Sequence, residues 1–411
     1  MWPRIFRAPP GCESPVTVRI CLALAACGLL IGSPSAVDAQ PRAGRPSSPA
    51  ARTAAAAANA GPAEVSLEPV LEVALDAQPA APAAFDATSA YLPLKGGHLV
   101  AIDLVSGKVR WTSELSTTWA PSVEAGLVVV AGDDLLTGLD AVTGRPKWRV
   151  PMTGGFSAPP IAAGGWVVGA PASGDVVAIR AADGHVLWTR PLGAPVRVRP
   201  VIAPSGVYVS LDDGRVVALD LITGTPRWER QLGGKPGDPL VLEDRLFVGA
   251  DDKHFYSLKT SDGSERWKRR IGGRPAGRPA VDAKRVYYVA LDNILWALNR
   301  NSGAQEWYQP LPMRPSGGPL VVGDVVVVAG VAAEVYAYQT RTGEPAGKSE
   351  SAADLASASQ LVPADIPALT SIAMVTRGGI FMLMRRRIEP VVTPLPYPLG
   401  TEIPLSQLGV D

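Results

Sequence analysis

The sequence predicts an all-β propeller, and three observations carry that reading. An eleven-residue signature recurs about every 40 residues along most of the chain. Glycine (42) and proline (40) make up 82 of 411 residues beside a 47% hydrophobic fraction, which suits many short strands with tight turns rather than long helices or a disordered polymer. Between the turns, runs rich in β-branched and aromatic residues read as strands.

The N-terminus comes first. Arg4, Arg7 and Arg19 precede the apolar run Ile20 to Ile31, which is followed by Gly32, Ser33, Pro34 and the small-residue site Val37-Asp38-Ala39. That order reads as a secretory signal peptide over residues 1–39, and the 12-residue run is too short to span a bilayer comfortably. Leu24-Ala25-Ala26-Cys27 also fits a bacterial lipobox, which would make Cys27 a lipidated N-terminus, and an uncleaved anchor is a third reading. Cleavage after Ala39 is preferred, because a lipobox leaves only Ile20 to Ala26 as its apolar stretch.

Cys12, Cys21 and Cys27 all lie in this segment, so the exported body has no thiol for a disulfide, a metal or a nucleophile. Of 39 basic and 38 acidic residues, 36 of each lie beyond residue 39. A neutral body excludes a general electrostatic case for nucleic acid or an anionic membrane surface, and the mature chain is expected to carry no transmembrane span. Residues 40–63 are rich in Ala, Pro, Ser and Gly without an aromatic residue, and read as a flexible linker.

The propeller is placed at residues 64–390, with a C-terminal tail at 391–411. Its signature appears as AIDLVSGKVRW, GLDAVTGRPKW, AIRAADGHVLW, ALDLITGTPRW, SLKTSDGSERW and ALNRNSGAQEW. The glycines Gly107, Gly144, Gly184, Gly224, Gly263 and Gly303 are each followed four residues later by Trp111, Trp148, Trp188, Trp228, Trp267 or Trp307. A seventh copy has Gly343 but Gly347 at the Trp position. Pro82, Pro121, Pro160, Pro200, Pro239, Pro279 and Pro319 each open a strand-like run. In the unit from Pro200 to Gln231, a strand precedes Asp212-Asp213-Gly214, RVVALDL forms a second, Thr223-Gly224 turns the chain, and PRWERQL carries the Trp. With a strand directly after the proline, each unit becomes a blade. A large ring at a fixed place fills the wedge between neighbouring sheets while its indole N–H finds a backbone acceptor, so the tryptophans read as structural.

These A-x-D-x-x-T-G-x-x-x-W units resemble the quinoprotein-like propellers built from the repeat named after pyrroloquinoline quinone (PQQ). The likeness is specific over residues 95–311 and weaker from 65 to 390, and the mature size is similar to that of the propeller lipoproteins of bacterial outer-membrane protein assembly. It implies an eight-bladed β-propeller of PQQ-like repeats. Seven proline-led units followed by a strand pair in Ile366 to Leu383 support that count, and Val65 to Leu75 falls where an N-terminal strand completes the last blade and closes the ring. PQQ enzymes of the family need a calcium site of carboxylate and amide side chains, a catalytic Asp and, in many, a vicinal cysteine pair. The pair is absent and no pattern assigns the other groups, so no cofactor and no catalytic residue is expected.

Asp133-Asp134, Asp212-Asp213, Asp251-Asp252 and Asp292-Asn293 sit at the first hairpin turn of their units, where turn chemistry explains them better than metal binding. His98, His185 and His254 share no spacing that suits zinc or a catalytic dyad, and Arg385-Arg386-Arg387 reads as a solvated strand end. A basic series lies just upstream of the strand-opening prolines: Arg197, Arg199, Lys235, Arg274, Arg278 and Arg314. In a propeller these gather on one face near the channel mouth, and Trp119 and Phe156, from equivalent loops, are expected as apolar anchors of the same partner-binding face. Solubility is the ordinary role for such charges, and a partner-binding ring is the functional one. The expected function is an exported, non-catalytic scaffold in the periplasm or on the periplasmic face of the outer membrane, a monomer within a complex, binding an envelope protein and serving outer-membrane protein assembly. A PQQ-dependent dehydrogenase or degenerate relative is the alternative from another class, and a binding or sensor module for an envelope glycan or small molecule is a third.

Overall fold

The computed structural model describes residues 67–332, 334–350, 354–362 and 371–386. The signal segment with Cys27, the linker, the tail and Arg387 lie outside the described residues. Eight four-stranded antiparallel sheets follow one another as blades, and no helix occurs among the described residues. Blade 4 shows the plan: an inner strand Val201–Ala203, then Gly206–Ser210, Arg215–Leu219 and the outer strand Pro226–Gln231. The two middle strands are almost wholly buried, because both of their faces pack on neighbouring blades, and they consist of the β-branched and aromatic residues that suit such burial. The outer strands of blades 4 and 5 carry charged residues, with only their Trp buried.

The signature is a clasp between blades. Trp228 is 8% exposed, and its indole N–H donates to the carbonyl of Thr260 in blade 5 at 2.9 Å. Tyr208 tilts against the same ring, with centroids 5.9 Å apart, and its hydroxyl donates to that carbonyl too. Gly263, in the turn after the third strand of blade 5, has a φ of +69°, and a Cβ there would lie 2.6 Å from the Trp228 ring. Each signature tryptophan of blades 1 to 6 donates in the same way to the next blade, from Trp111 on Ala141 to Trp307 on Thr340. The expected acceptor for the indole is therefore the neighbouring blade's signature turn.

Ring closure explains where the signature decays. Blade 8 has the strands Gln360–Val362, Ser371–Val375 and Ile380–Arg386, and its outer strand is Leu67–Ala74 from the N-terminal end of the described chain. Leu71 pairs with Leu383 and Val73 with Phe381. A Cβ on Gly107 of blade 1 would lie 3.0 Å from Leu71 and 3.1 Å from Val73, so these aliphatic side chains take the place of the ring. Blade 8 reaches its outer strand from the other end of the chain and has no signature turn to receive a ring from blade 7. That accounts for Gly347 at the Trp position, while Gly343 persists because Trp307 rests on it.

The signature aspartate organises the turn that carries each glycine. Asp103 accepts the backbone N–H of Ser106 at 2.7 Å and of Val105 at 3.1 Å, and Asp140 and Asp220 do the same in blades 2 and 4. These backbone donors, above all those of Ser106, Thr143 and Thr223, hold the three carboxyls below the usual range. A depressed folded pKa adds stability above the unfolded value of about 3.9, and that stability is lost as pH falls through the folded value. The melting midpoint is expected to fall below about pH 4, and less steeply in an Asp103→Asn/Asp140→Asn/Asp220→Asn variant. Scanning calorimetry from pH 7 to pH 3 checks this, and parallel curves for the two proteins would remove the turn carboxyls as the cause.

Candidate interaction face

The connections that lead from one blade's outer strand to the next blade's inner strand share a face with the turns between the two middle strands. Backbone bonds tie them together at one repeated position: Lys95 N to Gln78 O, Ala172 N to Gly155 O and Asp212 N to Pro195 O. The series continues with Asp251 N to Lys235 O, Leu291 N to Arg274 O, Val331 N to Arg314 O and Arg377 N to Asp354 O. Lys235, Arg274 and Arg314 are thus equivalent residues of blades 5, 6 and 7, and Arg197 of blade 4 lies two places on. The expected ring is an arc over blades 4 to 7, since the same position holds Gln78, Gly155, Pro195 and Asp354 elsewhere.

The arc is exposed and partly neutralised. Arg197 and Lys235 both reach Asp212, at 3.1 and 2.9 Å, and Arg274 lies 3.7 Å from Asp251. Arg314 is exposed and its side chain has no partner among the described residues. The turn aspartates also bond their own backbone, as when Asp213 accepts Arg215 N and Asp252 accepts His254 N, both at 3.1 Å. Arg385, at the end of its strand, donates to Ser371 at 3.3 Å.

Arg199 and Arg278 leave this face for the axis. Both directly precede a strand-opening proline, and successive inner strands touch one another from blade 1 to blade 7. Arg199 crosses to blade 2, where its Nη2 donates to the carbonyls of Ala120 at 2.7 Å and Pro121 at 2.9 Å. Burial, with the charge of Arg278 added, pushes its pKa down to about 10. Arg278 is open to solvent along the channel yet surrounded by protein, which lowers its pKa as well. Asp238, at the same place in blade 5, is pushed up by burial and held back by both arginines. Sequence reasoning missed Asp238, although the residue before each strand-opening proline is a readable series.

Trp119 and Phe156 are not exposed anchors. Phe156 is 9% exposed because it opens the inner strand Phe156–Ala163, and Trp119 is half-buried against the same core of blades 2 and 3. Together with Asp133, Asp134, Gly154 and Gly155 they line an open pocket of about 360 Å³. Thr117 holds the Trp119 main chain in place by accepting its backbone N–H at 3.0 Å while donating to Ala131 O at 2.5 Å. Gly155 has a φ of +73°, and a Cβ there would come within 2.9 Å of Asp133 O, so only glycine lets the connection lie against the turn.

Residues 95–239 and 232–362, more than half of the chain, match the family described as outer membrane protein assembly factor BamB. The chain belongs to the BamB family of PQQ-like propellers. Among solved structures, BamB from Moraxella catarrhalis superposes with a TM-score of 0.66 at 19% identity, covering 78% of this chain and 100% of that one. Quinohemoprotein alcohol dehydrogenase from Comamonas testosteroni gives 0.64 at 14% identity over 82% and 79% of the two chains. Saccharomyces cerevisiae Sqt1 gives 0.65 at 10% identity over 80% and 100%. Identities this low show a shared fold alone, the β-propeller. No curated protein matches the sequence.

Proposed function

We propose that the protein is an exported, non-catalytic propeller scaffold of the bacterial cell envelope that binds another protein in outer-membrane protein assembly. The observation that carries this reading is the BamB family match, joined to an arc of exposed basic residues on the loop face of a neutral body. The arc steers an acidic partner surface, which raises the encounter rate most at low ionic strength. The preferred place of action is the periplasm or the periplasmic face of the outer membrane, with the chain soluble after cleavage at Ala39 or anchored through Cys27. Mass spectrometry of the mature N-terminus separates the two.

The quinoprotein neighbours favour a second reading, oxidation through PQQ. The axial residues do not fit that group. Asp238 lies in the charge field of Arg199 and Arg278, and no three Asp, Glu, His or Cys side chains converge on a metal position among the described residues. Micromolar binding of PQQ with calcium, accompanied by dye-linked alcohol or sugar oxidation, would overturn the scaffold reading.

For the face itself, photo-crosslinkers at Gln78 and Asp354 in the native envelope, followed by mass spectrometry, identify the partner. An Arg197→Glu/Lys235→Glu/Arg274→Glu/Arg314→Glu variant is expected to lose about ten-fold or more of that capture at low salt, while its melting midpoint stays near the parent's because exposed charges contribute little to stability. Undiminished capture with folding intact would move the interaction face elsewhere and return these charges to a solubility role.

A further inference from the structure

We infer that the pocket between blades 2 and 3 binds an organic cation, the guanidinium or ammonium group of a side chain presented by a protein partner. The inference rests on the scaffold reading and adds the chemistry of one contact. In blades 4 and 5 the first aspartate of the middle turn is met by a cation from the adjoining connections: Arg197 and Lys235 on Asp212, Arg274 on Asp251. Blade 2 keeps the acidic pair, Asp133 and Asp134, yet the connection that faces it offers Gly155 where blades 5, 6 and 7 have Lys235, Arg274 and Arg314. Neither carboxylate has a hydrogen bond or an ion pair among the described residues, and both residues are exposed. The internal cation is missing and its room is kept open.

What replaces it is aromatic. Trp119 and Phe156 line the pocket beside the two carboxylates, and aromatic carbon next to carboxylate oxygens suits an organic cation, which takes charge-assisted acceptors and an aromatic contact together. A guanidinium lies flat on a ring while its edge bonds a carboxylate, and the opening of about 360 Å³ admits the end of an arginine or lysine side chain without rearrangement. The walls are held by backbone geometry rather than by the absent ligand: the Thr117 bonds fix the Trp119 main chain, and Gly132 N bonds Leu135 O at 2.8 Å to close the turn that carries Asp133 and Asp134.

The test is a titration of the purified mature protein, labelled with ¹⁵N at its indoles, with N-acetylarginine amide, its uncharged citrulline counterpart and tetramethylammonium. The Trp119 signal is assigned by its absence from a Trp119→Phe variant. A saturable shift of that signal with the arginine amide and none with citrulline is expected, and Asp133→Asn/Asp134→Asn should weaken it by about ten-fold or more with the melting midpoint preserved. Equal shifts with citrulline, equal affinity in the double variant, or no saturable shift would overturn the site. Binding of tetramethylammonium alone would overturn the assignment to a side chain. These probes never touch the basic arc, so the pocket fails without the scaffold reading failing, and loss of partner capture by the arc variant leaves the pocket titration unchanged.

Discussion

Trp228→Ala is expected to destabilise the propeller by about 3 to 5 kcal/mol in denaturant unfolding. Three effects converge on that ring. It fills the wedge between blades 4 and 5 at 8% exposure, so truncation leaves a cavity in a region too tightly packed to collapse. Its N–H bond to Thr260 O at 2.9 Å is lost, although Tyr208 continues to satisfy that carbonyl. Gly263 loses the face it was shaped to receive. Gly263→Ala approaches the same contact from the other side and is expected to cost about 1 to 3 kcal/mol, because a Cβ at φ +69° is strained and would sit 2.6 Å from the ring. The two substitutions share one contact, so the double variant should cost less than their sum. A shift below about 1 kcal/mol for Trp228→Ala would show that the ring is not a clasp. Gly347→Trp is the converse case, with no turn in blade 8 to receive the new ring, and no gain is expected from it.

This clasp was legible in the sequence because each of its parts is one residue at a fixed spacing. A turn aspartate, a glycine at positive φ and an indole four residues later are local demands, repeated wherever the next blade can receive the ring. The interaction face was legible only in outline. Arg197 and Arg199 stand two residues apart in one connection, yet Arg197 turns outward to Asp212 and Arg199 runs across the axis to Ala120 and Pro121. That divergence depends on where neighbouring blades place their carbonyls, which no spacing encodes. Phe156 misled in the same way. Its place in a loop suggested exposure, whereas its pairing with Pro171 makes it the first residue of an inner strand. The pocket beside it could have been suspected from one comparison, since the connections before blades 5, 6 and 7 carry Lys235, Arg274 and Arg314 where the connection after Asp133-Asp134 carries Gly154-Gly155.

Removal of residues 67–75 is expected to have the largest effect of all, making the chain aggregate. Every blade ends in a mostly charged or polar outer strand drawn from its own stretch of chain except blade 8, where Leu67–Ala74 is brought from the N-terminal side of the ring. Without it, the row of backbone groups on Ile380–Arg386 has no partner, and an unpaired edge of mixed apolar strands is a template for pairing with another molecule. The loss is not confined to one edge. Leu71 and Val73 stand in for the missing ring between blades 8 and 1, packing on Gly107, and Leu75 N donates to Gly379 O at 2.7 Å to fix the strand's exit. Their removal uncovers the core that holds Leu92, Ile102, Val375 and Phe381, so the first and last blades separate where the ring was sewn shut. Leu71→Ala and Val73→Ala together provide the graded version, in which the backbone edge stays paired and only the inter-blade contact is lost, and a cost of about 2 to 4 kcal/mol without aggregation is expected. Size-exclusion chromatography with light scattering, run beside thermal melts, separates the two mechanisms. A deletion variant that kept the parent's elution and midpoint would mean that the ring closes elsewhere, and the aliphatic pair would then be an ornament of the blade rather than its seal.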